Sequence, residues 1–277
     1  MVHGTHVAGI IAGNGYSSKG KYMGIAPKAN ILAIKALDEN GGGSTSKVIE
    51  AISYVIDTKE KYNTKILNLS IGTPANSTCE KDPLCKAVEK AVQAGLIVVV
   101  AAGNNGPEEG TILSPGTSRY AITVGAVDDK RTIDHSDDTI APFSSRGPTN
   151  EGEPKPDIVA PGVNIKSLSH TKLDGYSSLS GTSMATPLVS GAVALLLNKY
   201  KDLKPNEVKN KLLKSCINLD FPEENQGAGM LNLKLLFNDE SNTSTNNNPP
   251  KSTDFGGELF DSIIVILIIL FLLDSRI

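Results

Sequence analysis

The sequence has no block of lysine and arginine interleaved with aromatics, and its formal net charge is only -3. So small a charge supplies neither the counterion release that drives binding to nucleic acid nor attraction to an anionic membrane surface. Nucleic acid is therefore set aside as a partner. Cysteine is scarce: Cys79, Cys85 and Cys216. An odd count in so large a chain argues against a disulfide framework and fits a reducing compartment. Cys79 and Cys85 stand close enough to staple one loop, but the reading adopted is two unjoined thiols at the approach to a helix. No cysteine and histidine share zinc-like spacing, so no structural zinc is expected. A secretory leader, with its basic start, apolar stretch and small-residue cleavage site, is also missing. The chain opens Met1-Val2-His3-Gly4-Thr5-His6, which is already site-like. The expectation is a cytoplasmic protein, or one whose natural beginning lies upstream, with membrane association as the minor alternative.

The tail lacks the length to cross a bilayer. Ile263 to Leu273 holds no polar residue, but as a helix it covers about 17 Å against roughly 30 Å of hydrocarbon. Membrane contact through 263–273 is thus the weaker expectation, and packing on a partner or on its own domain the stronger. Its Ile and Val content makes it an aggregation hazard when exposed. Before the tail, residues 237–259 are rich in Asn, Ser, Thr and Pro and read as a linker.

Residues 1–236 do carry regular pattern. Ile31 to Leu37, Ile66 to Ser70, Leu96 to Ala102 and Ala121 to Val127 read as strands. The continuous run Leu-Ile-Val-Val-Val-Ala-Ala from Leu96 predicts a strand buried on both faces, as in a parallel sheet with helices on each side. Helical period appears from Ser46 to about Lys61, from Pro83 to Ala94, from Met184 to about Asn198 and from Pro205 to Ser215. The alternation predicts an α/β fold with a parallel sheet.

Three residue types suggest chemistry. Ser183, in Gly181-Thr182-Ser183-Met184-Ala185-Thr186-Pro187, opens the long apolar helix, where unpaired N–H groups and the positive helix end favour a developing oxyanion. The bland alternative is a helix cap. All four histidines, His3, His6, His135 and His170, precede Ser183, which excludes the Ser–acid–His order of the α/β-hydrolases. His3 and His6 lack the spacing and glutamate of zinc peptidases, so no metal site is assigned. Asn104, in Ala101-Ala102-Gly103-Asn104-Asn105-Gly106, follows the carboxyl end of a buried strand, where α/β proteins place ligands. Its amide could donate beside Ser183, although a turn asparagine is common in such sequence.

Together the motifs His3-Gly4-Thr5-His6-Val7-Ala8-Gly9, Ala101 to Asn104 and Gly181 to Pro187 resemble the subtilisin-like serine peptidases, over roughly His3 to Leu233. The opening pattern is most similar to the bacterial intracellular-type branch. The resemblance implies a subtilisin-like parallel sheet flanked by helices and endopeptidase activity on peptide or protein substrates. It implies His3 as general base, Ser183 as nucleophile, and an oxyanion hole from Asn104 and the Ser183 N–H. Gly41, Gly42 and Gly43 with Ser70, Ile71 and Gly72 would pair with an extended peptide, and Ala102 and Gly103 would wall the main specificity pocket. Members often bind calcium, but Asn14 to Lys21 offers no carboxylate, so no cofactor and no calcium site is assigned.

The chain departs from the family at its start. The family's triad aspartate precedes the histidine at the end of a central strand, and here only Met1 and Val2 precede His3. Val2 also stands where the family has glycine. Asp38 and Asp157 match other family positions and are not promoted to the triad. The resemblance thus implies a chain lacking the N-terminal strands, with an empty slot in the sheet and unpaired neighbouring N–H and C=O groups. Poor folding and weak hydrolysis are expected, with a non-catalytic remnant that binds peptides or a partner chain as the alternative function.

Overall fold

The computed structural model describes residues 2–36, 43–169, 175–238 and 265–270. Helix α1 (Val2–Ala12) leads to β1 (Asn30–Ile34), α2 (Thr45–Tyr62) to β2 (Thr64–Ser70), and α3 (Pro83–Gln93) to β3 (Ile97–Ala101). Then come β4 (Ile122–Asp128), β5 (Thr139–Ile140), β6 (Ile158–Pro161) and a hairpin of β7 (Ile165–Leu168) and β8 (Tyr176–Leu179). They are followed by α4 (Thr182–Lys199), α5 (Pro205–Lys214), β9 (Cys216–Ile217), α6 (Glu223–Gln226), β10 (Met230–Leu231) and α7 (Leu233–Phe237). From the tail comes β11 (Val265–Leu270).

The main sheet runs β1-β11-β2-β3-β4-β6-β10-β9, with β5 paired to β4. Every pair from β1 to β10 is parallel; β9 on β10 and β5 on β4 are antiparallel. Alternation explains the uninterrupted apolar strands. Ile66, Ile97 and Val99 pack in one core with Val7 and Ile11 of α1 and Val189 and Val193 of α4. Leu67, Leu69, Val98 and Val100 pack in another with Val48 and Ile52 of α2 and Leu84 and Val88 of α3. Successive side chains of a strand point to opposite faces, so both faces need apolar residues once helices cover both.

Helix ends follow their sequence signals. The Ser44 hydroxyl accepts from the Lys47 N–H, and the Asp82 carboxylate accepts from the N–H groups of Leu84 and Cys85, with Pro83 opening α3. The expected start of α4 needs correction: the helix begins at Thr182, so Ser183 lies inside its first turn.

Three further expectations are corrected. Cys79 and Cys85 are not separate thiols but a disulfide. The turn that accepts Lys81 and Asp82 N–H groups on the Thr78 carbonyl brings their Cα atoms to 5.3 Å, within the span a disulfide bridges. Cys216 remains a half-buried thiol, pushed up to about 12 by burial.

The slot expected to be empty is filled. Strand β11 lies between β1 and β2, with Asn30 opposite Val265, Ile34 opposite Ile269 and Ser70 opposite Leu270. This part of the tail, measured above as a helix, pairs as a strand because a β-branched apolar run suits a sheet position with neighbours on both sides. Among the described residues no helix is long and apolar enough to cross a membrane. Of the expected linker, Phe237 ends α7 and Asn238 follows it, while 239–259 lie outside the described residues.

Candidate active site

Gly181 precedes α4 with φ 151°, a conformation that disfavours side chains, and a Cβ there would lie 3.3 Å from Asn104 Nδ2. Glycine thus lets the start of α4 approach the segment after β3. Across that approach the Thr182 N–H donates to Asn104 Oδ1 at 2.9 Å, and the Thr182 hydroxyl donates to the same oxygen at 3.0 Å. A backbone N–H can only donate, so Oδ1 is the anchored end of the amide and Nδ2 its uncommitted donor. The Gly103 N–H completes the clamp by donating to Thr182 Oγ1 at 3.3 Å. Asn104 itself is exposed. The Ser183 N–H, in the first turn, has no acceptor among the described residues, as helix geometry dictates.

Pro187 shapes the other side of Ser183. Proline has no N–H, so it cannot donate to the carbonyl four residues earlier, which is that of Ser183. The Ser70 hydroxyl, at the end of β2, donates to that carbonyl instead, at 3.1 Å. In return the Ser183 hydroxyl donates to the Ser70 carbonyl at 3.4 Å, a long bond that leaves Oγ lightly held. Buried groups hold Ser70 in place: Asn68 Nδ2 donates to its hydroxyl at 3.1 Å, and Ser190 donates to Asn68 Oδ1 at 2.8 Å.

His3 lies in the first turn of α1, which packs against α4, and is 8% exposed. Burial, and secondarily the positive charge available to His6, lower its pKa to about 4. Its Nδ1 is buried without a hydrogen-bond partner. No hydrogen bond joins His3 to Ser183 among the described residues, since the hydroxyl points to Ser70. His6 has a different place: its Nε2 is 3.1 Å from the Ser177 carbonyl and its own carbonyl accepts from Ser167 Oγ at 2.8 Å. It joins α1 to the β7–β8 hairpin. His135 pairs with Asp138 at 2.9 Å, and His170 lies outside the described residues.

The remaining expected residues divide. Gly103, at φ 116°, has no room for a Cβ, which would come within 2.7 Å of Leu113 and Ser145. The carbonyl of Ala102 accepts from the Leu113 N–H, and that of Gly103 from the Ser145 N–H, so both residues are held in place by backbone hydrogen bonds. Ile71 and Gly72 are buried beside Leu113, and Thr73 exchanges two hydrogen bonds with Ser114. Leu113 thus touches both segments, a link no motif announced. Gly43 is exposed ahead of α2; Gly41 and Gly42 lie outside the described residues, as does Asp38.

Residues 14–21 do not fit a calcium ion. None is a carboxylate, Asn14 Oδ1 accepts from the Tyr16 N–H at 3.0 Å, and Ser18 Oγ accepts from the Tyr22 N–H at 2.9 Å.

The sequence profile described as the subtilase family matches residues 1–249. The chain belongs to the subtilase family. It is similar to the serine protease AprX of Bacillus subtilis (strain 168), 44% identical over 83% of this chain and 56% of that protein. Subtilisin DY of Bacillus licheniformis is 36% identical over 84% of this chain and 76% of its own length. Among solved structures, the S41 psychrophilic protease superposes with a TM-score of 0.71 at 31% identity, covering 83% of this chain and 77% of that one. Sphericase gives 0.68 at 33%, covering 78% and 69%. The chain therefore spans a little over half of AprX and about three quarters of subtilisin DY.

In this subtilase, Asp157 sits at the amino end of β6, 2.6 Å from Lys155 and 2.8 Å from Lys209, far along the strand from the carboxyl-end segments described above. Sequence reading missed Thr182 as the group that orients Asn104. It also passed over Pro187, whose position four residues after Ser183 signals a carbonyl in need of an outside donor.

Proposed function

We propose that this subtilase is a serine endopeptidase that cleaves peptide bonds through an acyl-enzyme on Ser183. The observation that carries the reading is the clamp of Thr182 on Asn104, which turns the amide Nδ2 outward next to a helix-opening serine whose own N–H is unused. Two fixed donors beside one hydroxyl are what a tetrahedral oxyanion requires.

His3 Nε2 takes the Ser183 proton as Oγ attacks the scissile carbonyl, then gives it to the leaving amine. Burial and His6 lower His3 to about 4, which keeps it neutral at neutral pH but makes it a weaker base than one titrating near the working pH. The attack also requires Ser183 Oγ to leave the Ser70 carbonyl, a bond weak enough at 3.4 Å to exchange. Substrate main chain would pair along Ser70 to Gly72 and Gly41 to Gly43, with Ala102 and Gly103 lining the side-chain pocket.

A fluorophosphonate probe tests the reading on the full chain. Ser183 is expected to be labelled quickly, the label to vanish in Ser183→Ala, and unfolded protein to remain unlabelled. A folded chain that takes no label and cleaves no peptide would be a peptide-binding or partner-binding protein instead.

A further inference from the structure

Two buried polar residues stand in apolar surroundings and take no part in the chemistry proposed above. Asn68 interrupts the apolar run Ile66-Leu67-Asn68-Leu69 of β2, and Ser190 interrupts Leu188-Val189-Ser190-Gly191-Ala192-Val193 of α4. Both are fully buried. Polar groups in such a core cost stability unless they are paired, and an apolar pair of the same shape would pack as well or better. Their presence calls for a role beyond packing.

Their hydrogen bonds run in one direction. The Ser190 hydroxyl donates to Asn68 Oδ1 at 2.8 Å, which leaves Asn68 Nδ2 to donate to Ser70 Oγ at 3.1 Å. With that oxygen accepting from Asn68, the Ser70 hydroxyl directs its one proton to the Ser183 carbonyl, at 3.1 Å. This is the carbonyl whose helical donor Pro187 removes. Ser183 and Ser190 stand seven residues apart, hence on one face of α4, and α4 packs on β2. The relay leaves the helix at Ser190, crosses to β2 and returns at Ser183, spanning the gap that Pro187 opens.

We propose that Asn68 and Ser190 are positioning residues of this site: through Ser70 they hold the Ser183 carbonyl in place of the missing helical bond, and so set the aim of the Ser183 hydroxyl and N–H. The assignment rests on the peptidase reading above. Both residues are fully buried and act only through Ser70. No proton passes along the relay; its hydrogens stay on Ser190, Asn68 and Ser70 throughout. A tilt of the first turn of α4 would carry Oγ away from a scissile carbonyl and the N–H away from the oxyanion together, and a misplacement of about 1 Å costs about 10²-fold in rate.

A relay and a merely structural core contact differ in how their members couple. Where Ser190 acts through Asn68 and Ser70, cutting the chain at Ser70 makes Ser190 irrelevant to the rate, although it still contributes to stability. Where Ser190 only supports the fold, its removal has the same effect on the rate in either background.

The experiment measures fluorophosphonate labelling of Ser183 over a range of probe concentrations, which separates the maximal rate from probe binding. It uses the full chain, Ser190→Ala, Asn68→Ala, Ser70→Ala and the double variant of Ser190→Ala with Ser70→Ala. Ser70→Ala, which keeps its carbonyl, should lower the maximal rate about 10- to 100-fold, and Asn68→Ala should approach it. Ser190→Ala should lower it about three- to tenfold at unchanged probe binding, and should add nothing in the Ser70→Ala background. A wild-type maximal rate in Ser190→Ala, or an equal loss in both backgrounds, overturns the assignment and leaves the peptidase reading standing. A folded wild-type chain that takes no label overturns both. If Ser70→Ala or Asn68→Ala does not fold, Ser190→Ala decides alone: a loss through weaker probe binding at an unchanged maximal rate overturns the proposal.

Discussion

Lys155 and His3 are both buried titratable groups, 2% and 8% exposed, and the protein treats them differently. At the amino ends of β4 and β6, the Lys155 ammonium reaches Asp157 at 2.6 Å and Thr123 Oγ1 at 3.0 Å. Lys209 adds a second cation at 2.8 Å from the other carboxylate oxygen, and the Thr123 N–H donates to Asp157 at 2.7 Å. In the helix that packs on α4, His3 offers a buried Nδ1 that nothing described accepts. Burial lowers both groups, Lys155 to about 8 and His3 to about 4. Lysine is met by counter-charge and polar partners; histidine is left uncharged and with bonding capacity to spare. A satisfied network fixes structure, whereas an unsatisfied group in an otherwise well-packed core marks where function imposes on folding.

Breaking the satisfied end should have the largest effect. Asp157→Asn leaves two cations without their shared anion, and a loss of about 3–5 kcal/mol in unfolding free energy is expected from denaturant titration. Burial works to raise the Asp157 carboxyl, but Lys155 and Lys209 outweigh it and hold it below the ordinary 3.8. A carboxyl lowered in the folded state contributes stability above its unfolded pKa and loses it as pH falls through the folded one. The wild type should therefore lose stability on acidification below about pH 4, and Asp157→Asn should lack that component.

The proposed catalytic end should respond in rate and not in stability. Asn104→Ala is expected to slow acylation by about 10²–10³-fold, a size known from the equivalent donor in this family, with a shift in melting temperature too small to account for it. Thr182→Ala should have the smallest effect. It removes one of two bonds to Asn104 Oδ1 and keeps the backbone donor, so a loss of up to roughly tenfold in rate is expected. Thr182→Ser should restore most of it. If Thr182→Ala lowered stability as much as Asp157→Asn, the contrast between the two ends would fail.

Much of this arrangement was legible in the residue order. Strands β2, β3 and β4 announce themselves because a sheet covered on both faces demands apolar residues at every position. Ser183, His3 and Asn104 stand out through glycine-rich motifs at element ends. Other features needed three dimensions. The disulfide depends on a turn that spacing alone does not specify. The orientation of Asn104 depends on Thr182, 78 residues away. Strand β11 was illegible for another reason: an unbroken apolar run fits a buried helix and a buried strand equally, and periodicity cannot choose between them.

The position of β11 also sets an order of events during synthesis. It follows every other described strand in the chain, yet it pairs with the first two. On the ribosome, the facing edges of β1 and β2 must therefore wait for residues 265–270 while the rest of the sheet is already available for assembly. Such delayed, long-range parallel pairing folds slowly and leaves open edges that attract other chains. A nascent chain of this protein should depend on chaperones most just before residues 265–270 emerge.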